Sequence, residues 1–207
     1  MASTTLRELT GQVSEPSAIQ NAVLILIDCQ NTYTEGVMKL EGVTEALEEC
    51  HRLLKAFRAS KRPIVHIIHD AGPGTPYDVT APIGKIVDLV APQEGEATVT
   101  KKVPSSFTNT NLDEILKTLG CQELVLAGFM THMCVSSTAR SAFELGYRCT
   151  VVGGATATRN LPAASGGGGG ADDKVVDAKT LKKAALCAIA DMFAVVVDTV
   201  DDLENKK

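Results

Sequence analysis

From residue 22 almost to its end the chain alternates short apolar runs with amphipathic stretches, and that alternation leaves few folds open. Unbroken apolar runs suit strands buried on both faces, whereas apolar positions at helical spacing suit helices packed on one side. Strands are expected at about 22–28, 63–68, 97–100, 123–127, 149–153 and 193–197, with helices near 43–59, 80–90, 111–119, 134–146 and 178–191. Helical spacing is clear at Ala46, Leu47, Cys50, Leu53, Leu54 and Phe57. Strand–helix–strand units build parallel sheets, and right-handed crossovers put helices on both faces. The pattern therefore predicts an α/β fold: a three-layer, doubly wound domain whose mostly parallel sheet has about six strands.

With 207 residues, 44% of them hydrophobic, the chain can bury a full core, and a single domain over 1–207 is expected. Twenty Lys and Arg stand against twenty-five Asp and Glu, and the basic residues are scattered, which argues against a nucleic-acid partner. The six cysteines (29, 50, 121, 134, 149 and 187) contain no C-x-x-C pair and no zinc-ligand spacing, so reduced thiols in a cytoplasmic protein are expected. The first twenty residues lack the apolar stretch of a conventional signal peptide, and no apolar run is long enough to cross a bilayer. A membrane partner is not expected, while unconventional export stays open. Ser165 to Asp173 holds five consecutive glycines and reads as a flexible surface loop. It is no phosphate cradle, since no G-x-x-x-x-G-K-[ST] or G-x-G-x-x-G opens a helix after a strand.

In open α/β sheets ligands bind beyond the carboxyl ends of the strands, so polar residues directly after apolar runs take priority. Three stand out. Asp28 closes the run Val23 to Ile27, Lys101 follows Ala97 to Thr100, and Cys134 follows the fourth run after a short turn, near the start of a helical pattern. Unpaired N–H groups and the dipole of a helix N-terminus lower a thiol's pKa, and a neighbouring ammonium adds to this. A carboxylate within reach can take a proton and return it to a leaving group. Backbone N–H groups between Phe129 and Cys134 can hold an oxyanion. The plainer alternatives are a buried small hydrophobe for Cys134, a strand-end cap for Asp28 and a solvated surface charge for Lys101, with Lys102 as a rival.

The segments Ile27-Asp28-Cys29-Gln30-Asn31-Thr32-Tyr33, Lys101 to Leu112 and Gly128 to Thr138 resemble, in order, those of the isochorismatase-like cysteine hydrolases. That family's pattern has an aspartate after strand one, a lysine six residues before a phenylalanine, and a G-x-x-T-x-x-C-V elbow. Counting back from Phe107 selects Lys101 over Lys102. The resemblance implies that Asp28, Lys101 and Cys134 form a catalytic triad. It implies a cis peptide between Phe129 and Met130, an oxyanion hole from the Met130 and Cys134 amides, and a homodimer or higher oligomer. The expected substrate-binding set is Gln30, Tyr33, His69, Phe107, Phe129 and Thr131, around a small-molecule substrate.

The nicotinamidase branch of the family carries an Asp-x-His pair and a further histidine as metal ligands. This chain has no histidine before His51, so neither a metal nor another cofactor is expected. His66 and His69 are three apart in or near a strand, so alternation sends them to opposite faces. His66 reads as structural, His69 as a residue at the second strand's carboxyl end, and His132 as lining a pocket or an interface. Two chemistries fit the triad: hydrolysis of a small amide through a cysteine thioester, or Asp28-driven cleavage of the vinyl ether of isochorismate, giving pyruvate. The first is preferred because the full set of Asp, Lys and Cys is present. A non-catalytic scaffold and a redox thiol protein are the alternatives outside hydrolysis.

Overall fold

The computed structural model describes residues 3–12, 14–163 and 175–204. The glycine-rich loop expected at 165–173 lies outside them. A six-stranded parallel sheet forms from β1 (Ala22–Ile27), β2 (Ile64–His69), β3 (Ala97–Lys101), β4 (Glu123–Phe129), β5 (Arg148–Ala157) and β8 (Val195–Val197), in the order β3-β2-β1-β4-β5-β8. The short strands β6 (Leu161–Pro162) and β7 (Val175–Val176) pair separately as an antiparallel ribbon. The helices are α1 (Leu6–Leu9), α2 (Val43–Ala59), α3 (Leu112–Thr118), α4 (Ser136–Glu144), α5 (Ala178–Ala190) and α6 (Asp201–Glu204).

Strand β1 shows why the sheet is covered twice. Ala22, Leu24 and Leu26 join one apolar cluster with the α2 side chains Ala46, Leu47, Cys50, Leu53, Leu54 and Phe57. The alternate residues Val23, Ile25 and Ile27 join a second cluster with Leu112 and Leu116 of α3, Ala139 and Ala142 of α4, and Ile189 of α5. An all-apolar run is therefore a period-two strand with two cores. Winding proceeds outward from β1 through β2 to β3, and outward from β4 through β5 to β8. The switch point lies between β1 and β4, where such sheets open a crevice at their carboxyl ends.

Expected and observed elements differ where long-range bonds outcompete local ones. No helix spans 80–90; two 3-10 turns, Pro82–Gly84 and Asp88–Val90, stand there instead. Ala81, just before a proline, is extended, as the proline ring requires. The carbonyls of Gly84 and Lys85 accept from the Gln30 side chain (2.7 Å) and the Asn31 amide (2.9 Å), and Cys29 C=O accepts from the Val87 amide (2.9 Å). This segment is stitched to the loop after β1. Strand β5 also runs four residues past its expected end, to Ala157.

The strands that carry the site are tied together near their amino ends by Glu96, just before β3. Its carboxylate accepts from Arg58 Nε (2.6 Å) and Nη2 (2.9 Å), from the Gln93 amide (2.9 Å) and from His66 Nε2 (2.8 Å). Burial alone would raise its pKa, yet these donors bring it down to about 2. His66 is thus a satisfied structural histidine. Glu96→Ala should cost about 2–4 kcal/mol by leaving Arg58 and His66 without their acceptor. Denaturant unfolding checks this, and a loss under about 0.5 kcal/mol would contradict the bracing role.

Candidate active site

Asp28 directly follows β1 and sits in the left-handed region at φ 51°, uncommon for a residue with a Cβ. Its N–H donates to Ile67 C=O (3.0 Å) and its C=O accepts from the Gln30 amide (2.8 Å), which hold the turn. Lys101 ends β3, two strand spacings from β1, roughly 10 Å. Only a long side chain spans that gap. Its Nζ reaches Asp28 Oδ2 at 2.7 Å, His69 Nδ1 at 3.2 Å and Cys134 Sγ at 3.3 Å. An ammonium has three protons and no lone pair, so these acceptors use all its capacity. Asp28 is 0% exposed, Lys101 1% and Cys134 5%. The Asp28 carboxylate also interacts with the Cys134 thiol.

Cys134 is presented by an elbow after β4. Gly128, at φ 113°, lets β4 pass β1, since a Cβ there would fall 2.0 Å from Ile27 O. The Phe129–Met130 peptide is cis. Thr131–Val135 then makes one wide π turn before α4 begins at Ser136. Met130 C=O accepts from the amides of Met133 (3.0 Å) and Val135 (3.2 Å), closing the turn. Among the described residues the Met130 N–H has no acceptor. Thr131 Oγ1 donates to Ala157 C=O (3.1 Å) and His132 Nδ1 pairs with Thr158 Oγ1 (2.6 Å), fastening the elbow to the end of β5.

The electrostatics correct one expectation. Rather than being lowered, the Cys134 thiol is pushed up to about 12 by burial and by the charge of Asp28, with Lys101 opposing. Taking a thiolate out of water outweighs the turn's dipole and the lone ammonium, whose charge is already shared with Asp28. The resting group is a thiol. Asp28 is raised to about 6 by burial, against the pull of Lys101. His69 is lowered to about 4 by burial and then by Lys101, so its ring is neutral, accepts at Nδ1 and carries its proton on Nε2.

The remaining sequence-selected residues divide by what they touch. Gln30 is buried, with Nε2 on the carbonyls of His69 (2.9 Å) and Gly84 (2.7 Å) and Oε1 on the His69 amide (2.9 Å). Its amide is spent on the backbone and positions His69 rather than facing a ligand. Tyr33 and Phe129 are buried edge to face, and the Tyr33 hydroxyl donates to that of Tyr77 (3.3 Å). Phe107 stacks on Tyr147 at 5.7 Å, within the α3 and α4 side of the core. Sequence reasoning passed over Tyr77, whose ring meets His69 edge to face at 4.8 Å. It also passed over Arg159, just beyond the true end of β5. Both follow strand carboxyl ends, and the early end assigned to β5 hid the second. Among the described residues no three His, Cys, Asp or Glu side chains cluster as metal ligands.

The Isochorismatase domain family model matches residues 22–201. The chain belongs to the isochorismatase family. It is 37% identical over 196 residues to a secreted isochorismatase effector of Verticillium dahliae, covering 94% of this chain and 97% of that protein. A ureidoacrylate amidohydrolase of Klebsiella pneumoniae is 30% identical over 175 residues, covering 67% of this chain and 74% of that one. The crystal structure of an isochorismatase from Pseudomonas putida superposes with a TM-score of 0.90 at 39% identity, covering 97% of this chain and 99% of that one. The chain is thus an isochorismatase-family hydrolase. No helix among its described residues is long and apolar enough to cross a membrane.

A protonated resting thiol has an optical consequence. At neutral pH the ultraviolet thiolate absorbance of the protein should equal that of Cys134→Ser, because the thiol ionises only toward about 12. A difference band that titrates near neutrality would contradict the electrostatic reading.

Proposed function

We propose that this isochorismatase-family protein hydrolyses the C–N bond of a small amide through a Cys134 thioester. The observation that carries the reading is one buried ammonium, Lys101 Nζ, bonded to both Asp28 (2.7 Å) and Cys134 (3.3 Å). Because the thiol is protonated at rest, a base must act as it attacks, and the raised carboxylate of Asp28 is that base. Asp28 takes the thiol proton while Sγ bonds to the amide carbon, and the carbonyl electrons move onto oxygen. The Met130 and Cys134 amides stabilise that oxyanion. Collapse breaks the C–N bond, with the Asp28 proton going to the leaving nitrogen. Water then gives its proton to Asp28, attacks the thioester, and leaves an acid and a restored thiol. The ureidoacrylate amidohydrolase relative supports C–N cleavage as the reaction class.

A second reading rests on a different property of the same carboxyl. Raised to about 6, Asp28 is partly protonated near neutrality and can donate to the vinyl ether of isochorismate, and the Pseudomonas putida relative is named an isochorismatase. The two routes part on mutation. On an amide panel Cys134→Ala should lose turnover by about a thousandfold or more, since nothing else can form the thioester. Asp28→Asn should be crippled on either substrate. Pyruvate release from isochorismate by an active Cys134→Ala enzyme would overturn the covalent reading.

The pH profile has a definite sign. For amide hydrolysis Asp28 works as its anion, so kcat/KM should rise with pH through about 6 and level off above it. Initial rates across that window check this, and a flat profile well below 6 would remove Asp28 as the base.

A further inference from the structure

Tyr77 sits on a loop that pins itself from inside. Between β2 and the turn at Pro82–Gly84, the Asp78 carboxylate accepts from the Gly74 amide (2.8 Å), the Thr80 amide (2.9 Å) and the Thr80 hydroxyl (2.6 Å). The Thr80 hydroxyl, and then the Gly74 amide, hold that carboxyl below its ordinary pKa. The Thr75 hydroxyl accepts from the Tyr77 amide (3.2 Å) and donates to Gly72 C=O (2.8 Å). Gly84 packs so closely underneath that a Cβ there would fall 2.2 Å from Asp78 O. A loop whose polar groups are spent on one another holds its one aromatic ring in a set place.

That place is beside the reacting centre. The Tyr77 ring meets His69 edge to face at 4.8 Å, and His69 Nδ1 lies 3.2 Å from Lys101 Nζ. From behind, the buried Tyr33 hydroxyl donates to Tyr77 Oη (3.3 Å), while the Tyr33 ring packs on Phe129 at the cis peptide. Burial raises the Tyr33 phenol, and Asp28, Tyr77 and Cys134 add to the rise, so its proton stays in place. Burial also raises the Tyr77 phenol; Tyr33 opposes this, Cys134 and Asp28 add to it, and Arg159 opposes it. Both phenols are therefore neutral donors. Tyr77 Oη accepts from Tyr33, and among the described residues its own proton goes to no other group. Tyr77 and His69 are half-buried whereas Asp28, Lys101 and Cys134 are closed, so this uncommitted O–H stands where a ligand reaches the triad.

We propose that Tyr77 is a specificity-determining residue whose hydroxyl donates to an uncharged oxygen of the substrate, with Tyr33 as the positioning residue behind it. The proposal rests on the assignment of Asp28, Lys101 and Cys134 as the reacting centre. In the sheet β1 lies between β2 and β4, so Tyr77, which follows β2, stands across Asp28 from the elbow that carries the oxyanion amides. It therefore holds a second oxygen, distinct from the one that takes up charge during attack. The substrate class is then a small amide with a carbonyl or hydroxyl oxygen a few bonds from the carbon that is attacked. A donor built to meet such an oxygen selects against the analogue that lacks it.

Two amides that differ at a single carbon test this: levulinamide carries a ketone where pentanamide carries a methylene. Calorimetry on Cys134→Ser protein, which cannot form the thioester, gives the ratio of their affinities. The same ratio is measured after adding Tyr77→Phe, Tyr33→Phe or both, the double change leaving neither hydroxyl without its partner. Levulinamide should bind about fivefold more tightly when both tyrosines are present, the worth of one neutral hydrogen bond. That preference should vanish with Tyr77→Phe and with the double change, and stay within about twofold with Tyr33→Phe alone. A preference that survives Tyr77→Phe would overturn the proposal. So would its full loss in Tyr33→Phe, which would assign the effect to packing, or its absence with both tyrosines present, through equal binding or none. Ammonia release from the two amides by the unmodified enzyme judges C–N hydrolysis separately: a Tyr77-dependent preference without release would fail that reading and still support the Tyr77 contact.

Discussion

Three protons on one buried nitrogen organise this site. The Lys101 ammonium gives them to Asp28, His69 and Cys134, which belong to the ends of different strands, and no partner is left for water. Burying a lone charge is prohibitive, so the lysine can lie at 1% exposure only with Asp28 opposite it. The same pairing limits what Lys101 does for the thiol. An ammonium already held by a carboxylate cannot also stabilise a free thiolate, and Cys134 rests as a thiol.

The fold exists to bring those ends together. Asp28 lies at the β1 side of the switch point and the elbow at the β4 side, while β3 supplies the lysine from two strands away. Gln30 locks the backbone of His69 and of the segment after it, so the imidazole that accepts from Lys101 is set by a side chain that need touch no ligand. The loops after β2 and β5 add Tyr77 and Arg159.

Much of this was legible in the sequence. The apolar run of β1 and the spacing in α2 give strand and helix directly, because the packing of one element decides each. Asp28, Lys101 and Cys134 followed from one rule about strand ends joined to a family resemblance. What escaped depended on contacts far apart in the chain. The segment 80–90 carries a helix-like pattern, but its carbonyls are taken by Gln30 and Asn31, some fifty residues away. The thiol's raised pKa was equally invisible, since a local turn suggests stabilisation while burial against a carboxylate imposes the reverse. Arg159 was missed because β5 outlasts its apolar run through Gly153, Gly154 and Thr156, a stretch with little strand propensity of its own.

The account's central claim is that a thiol, protonated at rest, becomes covalently acylated during turnover. Intact-protein mass spectrometry after rapid acid quench of the enzyme with an amide substrate tests it directly. The account predicts a transient mass increase equal to the substrate's acyl group, mapping to the peptide that contains Cys134 and absent from Cys134→Ser. Steady turnover of the amide with no such adduct at any quench time, and full activity in Cys134→Ser, would contradict it.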